Sequence, residues 1–211
     1  WGAPMLHAYV SDQGHSSVIK GLRALGFGDQ QVRKLPVDAD FRLDISALRR
    51  ALEEDRRTGS AGAIIVGSIG TTNTGAIDPL AELANISAQY GAWLHLDAAY
   101  GGFGRLDPSV EPLFEGVDRA DSLTVDPHKW LGIPVDSGCV LVRDGEALRR
   151  TYSLVPEYLP TADREVLPWR SEYGLEQTRP FRALRIWAAL RSLGRGAVCA
   201  RVQRHNRLIR H

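Results

Sequence analysis

Apolar and polar residues alternate along Leu6-His-Ala-Tyr-Val-Ser11, the period-two pattern of a short strand. The turn Asp12-Gln-Gly-His15 follows, then a helical stretch from Ser16 to Leu25 closed by Gly26. Gln31 to Val37 reads as a second strand. Asp44 to Arg57 sets Ile45, Leu48 and Leu52 on one helical face, with Asp44 as N-cap, and Gly59-Ser-Ala-Gly62 breaks it. Ala63 to Ile69 is a continuous apolar run rich in β-branched residues, the pattern of a strand covered on both faces in a parallel sheet. Gly70-Thr-Thr-Asn-Thr-Gly75 stands at its carboxyl end. Asp78-Pro79 opens a helix to about Tyr90, and Trp93-Leu-His-Leu-Asp97 is a strand ending in an acid. Ser122 to Val125 and Gly138 to Arg143 are two more strands, placed around a turn that contains Lys129.

Helices alternating with apolar strands predict a layered α/β domain with a mostly parallel sheet. Residues 1–150 are expected to form the central part of that domain. Residues 151–178, interrupted by Pro156, Pro160, Pro168 and Gly174, are expected to be an extended or mobile loop. From Pro180 onward Phe181, Leu184, Trp187 and Leu190 recur at helical spacing beside Arg182, Arg185 and Arg191, so 179–211 reads as a helix with a solvated basic face.

Composition narrows the function classes. With 26 basic and 25 acidic residues the net charge is +1, and no bulk field points to nucleic acid or anionic lipid. No apolar run approaches the roughly 20 residues needed to span a bilayer, and no basic flank precedes an apolar core at the amino terminus. The chain is therefore expected to be soluble and cytoplasmic, with no membrane or nucleic-acid partner. Two cysteines, Cys139 and Cys199, do not make a disulfide framework. No Gly-x-x-x-x-Gly-Lys-Ser/Thr run exists, which sets aside a P-loop nucleotide binder.

Open α/β sheets place ligands at the carboxyl ends of their parallel strands. Four such places carry polar groups here: His15, Gly70 to Gly75, Asp97, and Asp126 to Lys129. Lys129, set between a histidine and a tryptophan just after a strand, is either a paired structural cation or a nucleophile able to attack a carbonyl as a neutral amine. Each residue alone has a plainer reading. Asp97 suits an N-cap or an ion pair, His15 a turn, and Gly70 to Gly75 an ordinary loop. His95 and Asp97, two apart on a strand, share a face and could be two metal ligands, but no third ligand stands at suitable spacing, so no metal is expected. A lysine for a Schiff base and an acid for a pyridine nitrogen are together what pyridoxal 5'-phosphate (PLP) requires.

His95-Leu-Asp-Ala-Ala-Tyr-Gly-Gly102, Asp126-Pro-His-Lys-Trp130 and Ser11-Asp-Gln-Gly-His-Ser-Ser17 together resemble the group II PLP-dependent amino-acid decarboxylases, a family with members acting on aromatic amino acids, glutamate and histidine. The resemblance runs over nearly the whole chain. It implies the large domain of a fold-type I PLP-dependent transferase-like protein, incomplete here. A phosphate-cupping loop is expected upstream of His15 and a small domain beyond the last helix.

Position by position, the resemblance implies Lys129 as the Schiff-base lysine and Asp97 as partner of the pyridine nitrogen. His15 matches the histidine stacked on the cofactor ring, and Ala99 the small residue packed beside that ring. Thr72, Ser122 and Asp126 fall on cofactor-contacting positions, the last two at the phosphate. Many relatives have asparagine where this chain has Asp126, and an acid there repels a phosphate unless its backbone N–H makes the contact. His128 falls close to the substrate's reacting groups. Tyr158 matches a loop tyrosine that protonates the α-carbon after carbon dioxide leaves. The implied activity is decarboxylation of an L-amino acid, a small-molecule substrate, in a homodimer whose active sites lie at the subunit interface. Two rivals stay open: another PLP-dependent carbon–carbon lyase, of the aldolase or sphingoid-phosphate type, and a non-catalytic homologue or assembly partner that keeps the fold.

Overall fold

The computed structural model describes residues 3–154 and 169–209. Its centre is a six-stranded sheet in the order β2-β1-β3-β4-β5-β6, with β1 Leu6–Ser11, β2 Val32–Leu35, β3 Ala61–Ser68, β4 Trp93–Asp97, β5 Ser122–Val125 and β6 Cys139–Val142. Strands β1 to β5 are mutually parallel, while β6 returns antiparallel along the edge of β5. The mostly parallel α/β architecture expected from the sequence is thus present.

Two layers of helix cover the sheet. The helices α2, Ile45–Arg57, and α3, Leu80–Tyr90, lie on one face. There Leu48, Leu52, Leu83 and Ile86 pack on Tyr9, Ile65, Leu94 and Leu96, forming the main core. Helix α1, Ser16–Ala24, sits on the other face, where Leu22 meets Ala8, Val10 and Val66. Alternate strand residues serve the two layers, as the pleat requires. The Asp44 side chain caps α2 by accepting from Ser46 N and Ala47 N, and Gly91 in the left-handed region (φ +66°) ends α3.

Three features depart from the sequence reading. The turn after β5 is the short helix α4, Pro127–Trp130, and a further helix, α5, Gly145–Tyr152, is capped by Asp144 just after β6. The last helix, α6, spans Ala183–Ile209 and is broken at Gly194 (φ +73°). It packs back on the domain: Val198 is buried against Leu131 and Ile133, and Asn206 Nδ2 donates to Asp107 Oδ2 at 2.9 Å. Its basic residues are partly engaged, since Arg182 and Arg185 both approach the Asp136 carboxylate, at 3.2 and 3.7 Å.

Candidate functional site

Because β1, β3, β4 and β5 are adjacent and parallel, the loops leaving their carboxyl ends converge on one edge of the sheet. They enclose a cavity of about 960 Å³ lined by His15, Thr72, Asp97, Ala99, Asp126 and Lys129, among others. Six of the residues singled out in the sequence therefore share one wall.

The loops are locked backbone to backbone. Gly70 takes φ +85°, and its N–H and that of Thr71 both donate to Ala76 O at 3.0 Å, closing the turn that presents Thr72. Thr71 is buried, and its hydroxyl pairs with that of Thr74 at 2.7 Å. Gly101 N donates to Ile69 O at 2.9 Å, tying the loop after β4 to the loop after β3. Ala99 binds two neighbours at once: its N–H donates to Asp97 Oδ1 at 3.2 Å and its carbonyl accepts from Asp126 N, also at 3.2 Å. The Asp97 carboxylate and the start of the Lys129 turn are thereby held to one residue.

His15 is the N-cap of α1. Ser17 N–H donates to its Nδ1 at 3.3 Å and Ser17 Oγ lies 2.7 Å from the same atom, which leaves the ring proton on Nε2. Lys129 Nζ is 3.0 Å from Asp126 Oδ2, so the amine is ion-paired within its own turn.

Two of the residues singled out are absent from the cavity lining. Ser122 does not line the cavity: it opens β5, two residues before the level of Asp97, in register with His95, and its hydroxyl bonds Trp93 Nε1 and His95 Nδ1, each at 2.8 Å. The side chain that fell on a phosphate position thus serves the strand's own neighbours. His128 is also off the cavity lining; its Nδ1 lies 3.0 Å from Ser137 O and its Nε2 3.6 Å from Asp126 Oδ2. His128 and Lys129 thus approach the same Asp126 oxygen, Lys129 Nζ at 3.0 Å. Tyr158 lies outside the described residues.

The sequence reading missed much of the remaining wall. Tyr100 and Trp130 stack with ring centroids 5.7 Å apart, and with Phe114 they give the cavity an aromatic side. Asn206 reaches it from α6. Tyr100 and Trp130 stood inside the quoted motifs, whereas nothing local marks Asn206. His95 and Asp97 do share a face, but among the described residues no group of three His, Cys, Asp or Glu side chains could hold a metal.

A family model described as the pyridoxal-dependent decarboxylase conserved domain matches residues 4–211. An aromatic-L-amino-acid decarboxylase of Bacillus atrophaeus is 40% identical over 188 residues, covering 88% of this chain and 39% of its own length. Histidine decarboxylase of Rattus norvegicus is 39% identical over 190 residues, covering 90% of this chain and 28% of its own. Among solved structures, Oryza sativa TDC with PLP and tryptamine superposes with a TM-score of 0.87 at 33% identity, over 96% of this chain and 41% of that one. Against the Bacillus relative the chain spans about two fifths of the length.

Proposed function

The chain belongs to the pyridoxal-dependent decarboxylase family, and from that premise we propose that it forms the cofactor-binding core of an enzyme releasing carbon dioxide from an L-amino acid. The observation that carries the reading is the meeting of Lys129, Asp97 and His15 in one cavity, delivered by three different strand ends.

The donor set fits PLP. Lys129 offers an amine for its carbonyl, Asp97 a carboxylate for its ring nitrogen, and His15 an imidazole at the cavity wall. Thr72 and the surrounding turn offer a hydroxyl and backbone N–H groups. The chemistry such a cofactor supplies when bound is an electron sink for the pair left on the α-carbon when a carboxylate departs. The chain's own residues do the rest: the Asp97 side chain would meet the ring nitrogen, and the stacked Tyr100–Trp130 pair forms one aromatic side of the cavity. Relatives named for aromatic amino acids, tryptophan and histidine support a ring-bearing amino acid as substrate. We further propose that the protein acts on this small molecule as a cytoplasmic homodimer; the balanced charge supports only the part of this reading that gives it no nucleic-acid or anionic-membrane partner. Among the described residues, no helix is long and apolar enough to cross a membrane.

The test is to incubate the intact protein with PLP, reduce with borohydride and locate the label by peptide mass, then assay amine and carbon dioxide release. Label on Lys129, and loss of release in Lys129→Ala, are expected. Label elsewhere, or parental release from Lys129→Ala, overturns the mechanism.

A further inference from the structure

Helix α1 opens in an uncommon way. Its N-cap is an imidazole, where serine, threonine, aspartate or asparagine ordinarily supplies the accepting atom. The cap needs a lone pair on His15 Nδ1, because the Ser17 N–H that meets it at 3.3 Å can only donate. That N–H also fixes the sense of the second contact. With Nδ1 an acceptor, the Ser17 hydroxyl 2.7 Å away gives its hydrogen to the same atom. Two donors from one residue converge on Nδ1, and the ring carries its proton on Nε2. Among the described residues the hydrogen bonds of this ring all run to Ser17, which leaves Nε2–H for a ligand.

The helix does not itself require a hydroxyl at position 17. Any residue except proline brings the backbone N–H that makes the cap, and the hydroxyl adds the second, shorter bond. His15 and Ser17 both line the cavity that contains Lys129 and Asp97, just past the carboxyl end of β1. Since Nδ1 is engaged by α1, the polar group that the ring can offer there is the Nε2–H donor. Such a donor bonds most strongly to an anionic acceptor. The carboxylate of an L-amino acid is one, and the amine left after decarboxylation has none.

We infer that the Ser17 hydroxyl is a positioning group for His15: it locks the imidazole in its Nε2–H form and so keeps that donor available to the substrate carboxylate. The lock stands on the hydrogen bonds alone, while its use rests on the proposed decarboxylase function.

Two measurements on the intact protein test the two halves. The first is nitrogen-15 NMR of the histidines in the cofactor-free protein. His15 should be protonated on Nε2 in the parent and in Ser17→Thr, whereas Ser17→Ala, with one of the two donors gone, should show a detectable share of the Nδ1–H form. A parent protonated on Nδ1, or a Ser17→Ala protein indistinguishable from the parent, overturns the lock whatever the enzyme does. The second measurement loads the protein with PLP and compares L-tryptophan with tryptamine, the amine it would yield. Ser17→Ala should lower kcat/KM for tryptophan by about three- to tenfold, as expected for one hydrogen bond, and change the dissociation constant of tryptamine, read from the visible absorbance of bound PLP, by less than about twofold. Ser17→Thr should restore the tryptophan value. Equal losses for tryptophan and tryptamine, or no loss for tryptophan, make Ser17 part of a helix cap and overturn its positioning role. A parent that releases carbon dioxide from no amino acid fails the functional reading, and the use of the lock falls with it; the NMR result still decides the lock.

Discussion

Lys129 Nζ lies 3.0 Å from Asp126 Oδ2, an ion pair closed within one turn of chain, and both side chains line the cavity. An amine held this way must leave its carboxylate before it adds to an aldehyde. The same carboxylate repels any phosphate brought near it. Both side chains are partly exposed, so the pair contributes roughly 0.5–1 kcal/mol and is screened by salt. Asp126→Asn should therefore speed the reaction of the protein with PLP by about two- to fivefold at low ionic strength. The rise of visible absorbance after mixing reads this directly, and the advantage should shrink in concentrated salt. A slower reaction in the variant would show that Asp126 assists the amine.

Gly101 is the point where the loops after β3 and β4 touch. A Cβ built there would collide with the Ile69 carbonyl and stand 3.2 Å from Gly70 N, both backbone atoms that cannot rotate aside. Gly101→Ala should shift the two loops apart, costing about 1–3 kcal/mol and separating Thr72 from Asp97. Thermal unfolding and PLP titration should both report the change. Gly145, whose Cβ would meet nothing within 4 Å, supplies the control position.

Much of this arrangement is legible in the sequence because it rests on local patterns. The bounds of β1, β4 and β5 coincide with the alternating or apolar runs that announce them, and Asp44 caps α2 as its position implies. Six of the site residues could be named because they stand at or soon after the carboxyl ends of β1, β3, β4 and β5. What escaped depends on distant partners. Ser122 belongs to a strand whose first hydroxyl is claimed by Trp93 and His95, a pairing fixed only by the β4–β5 register. His128 is tied to Ser137 O through Nδ1, a partner nine residues on that no local pattern announces, and it sits in a helical turn of four residues, too short to leave a periodic signal. Helix α5 has only eight residues and buries none of them fully, so its apolar face, Leu148 and Tyr152 one turn apart, is too brief to give a sustained periodic signal. Asn206 reaches the cavity only because α6 folds back past Gly194.

Asp78 joins the end of β3 to the start of α2. Its two carboxylate oxygens accept from Leu43 N at 2.7 Å and Ser68 N at 2.6 Å, and it is buried. Burial pushes its carboxyl above the usual range, against the two backbone hydrogen bonds. Asp78→Asn keeps the shape but turns an NH₂ toward one of two N–H donors, so it should cost about 1–3 kcal/mol, seen as a lower Tm. The sign with pH is distinctive. A carboxyl raised in the folded state withdraws stability as pH climbs above its unfolded value of about 4, so the stability of the parent minus that of the variant should shrink as pH rises over that window.

A second buried group, at the opposite ends of the strands from the cavity, makes stability fall in acid. Asp55 on α2 accepts from Tyr9 OH at 2.8 Å and is ion-paired to Arg33, while His7 Nδ1 stands 3.3 Å away without the alignment of a hydrogen bond. Burial alone would raise the Asp55 carboxyl, but the Arg33 and Tyr9 hydrogen bonds outweigh it and hold it below the ordinary range. Burial likewise lowers His7, more than the charge of Asp55 raises it. Both groups bind protons more readily unfolded than folded, so each stabilises above its unfolded pKa and ceases to as pH falls through its folded one. Tm should therefore decline first below about pH 6.5, from His7, and again below about pH 4, from Asp55. His7→Gln should remove the upper decline and leave the lower. Asp55→Ala, which strands the Arg33 charge and the Tyr9 hydroxyl, should cost about 3 kcal/mol at neutral pH. A single decline in the parent, unaltered in His7→Gln, would mean that His7 is protonated in the folded protein and that the carboxylate holds it there.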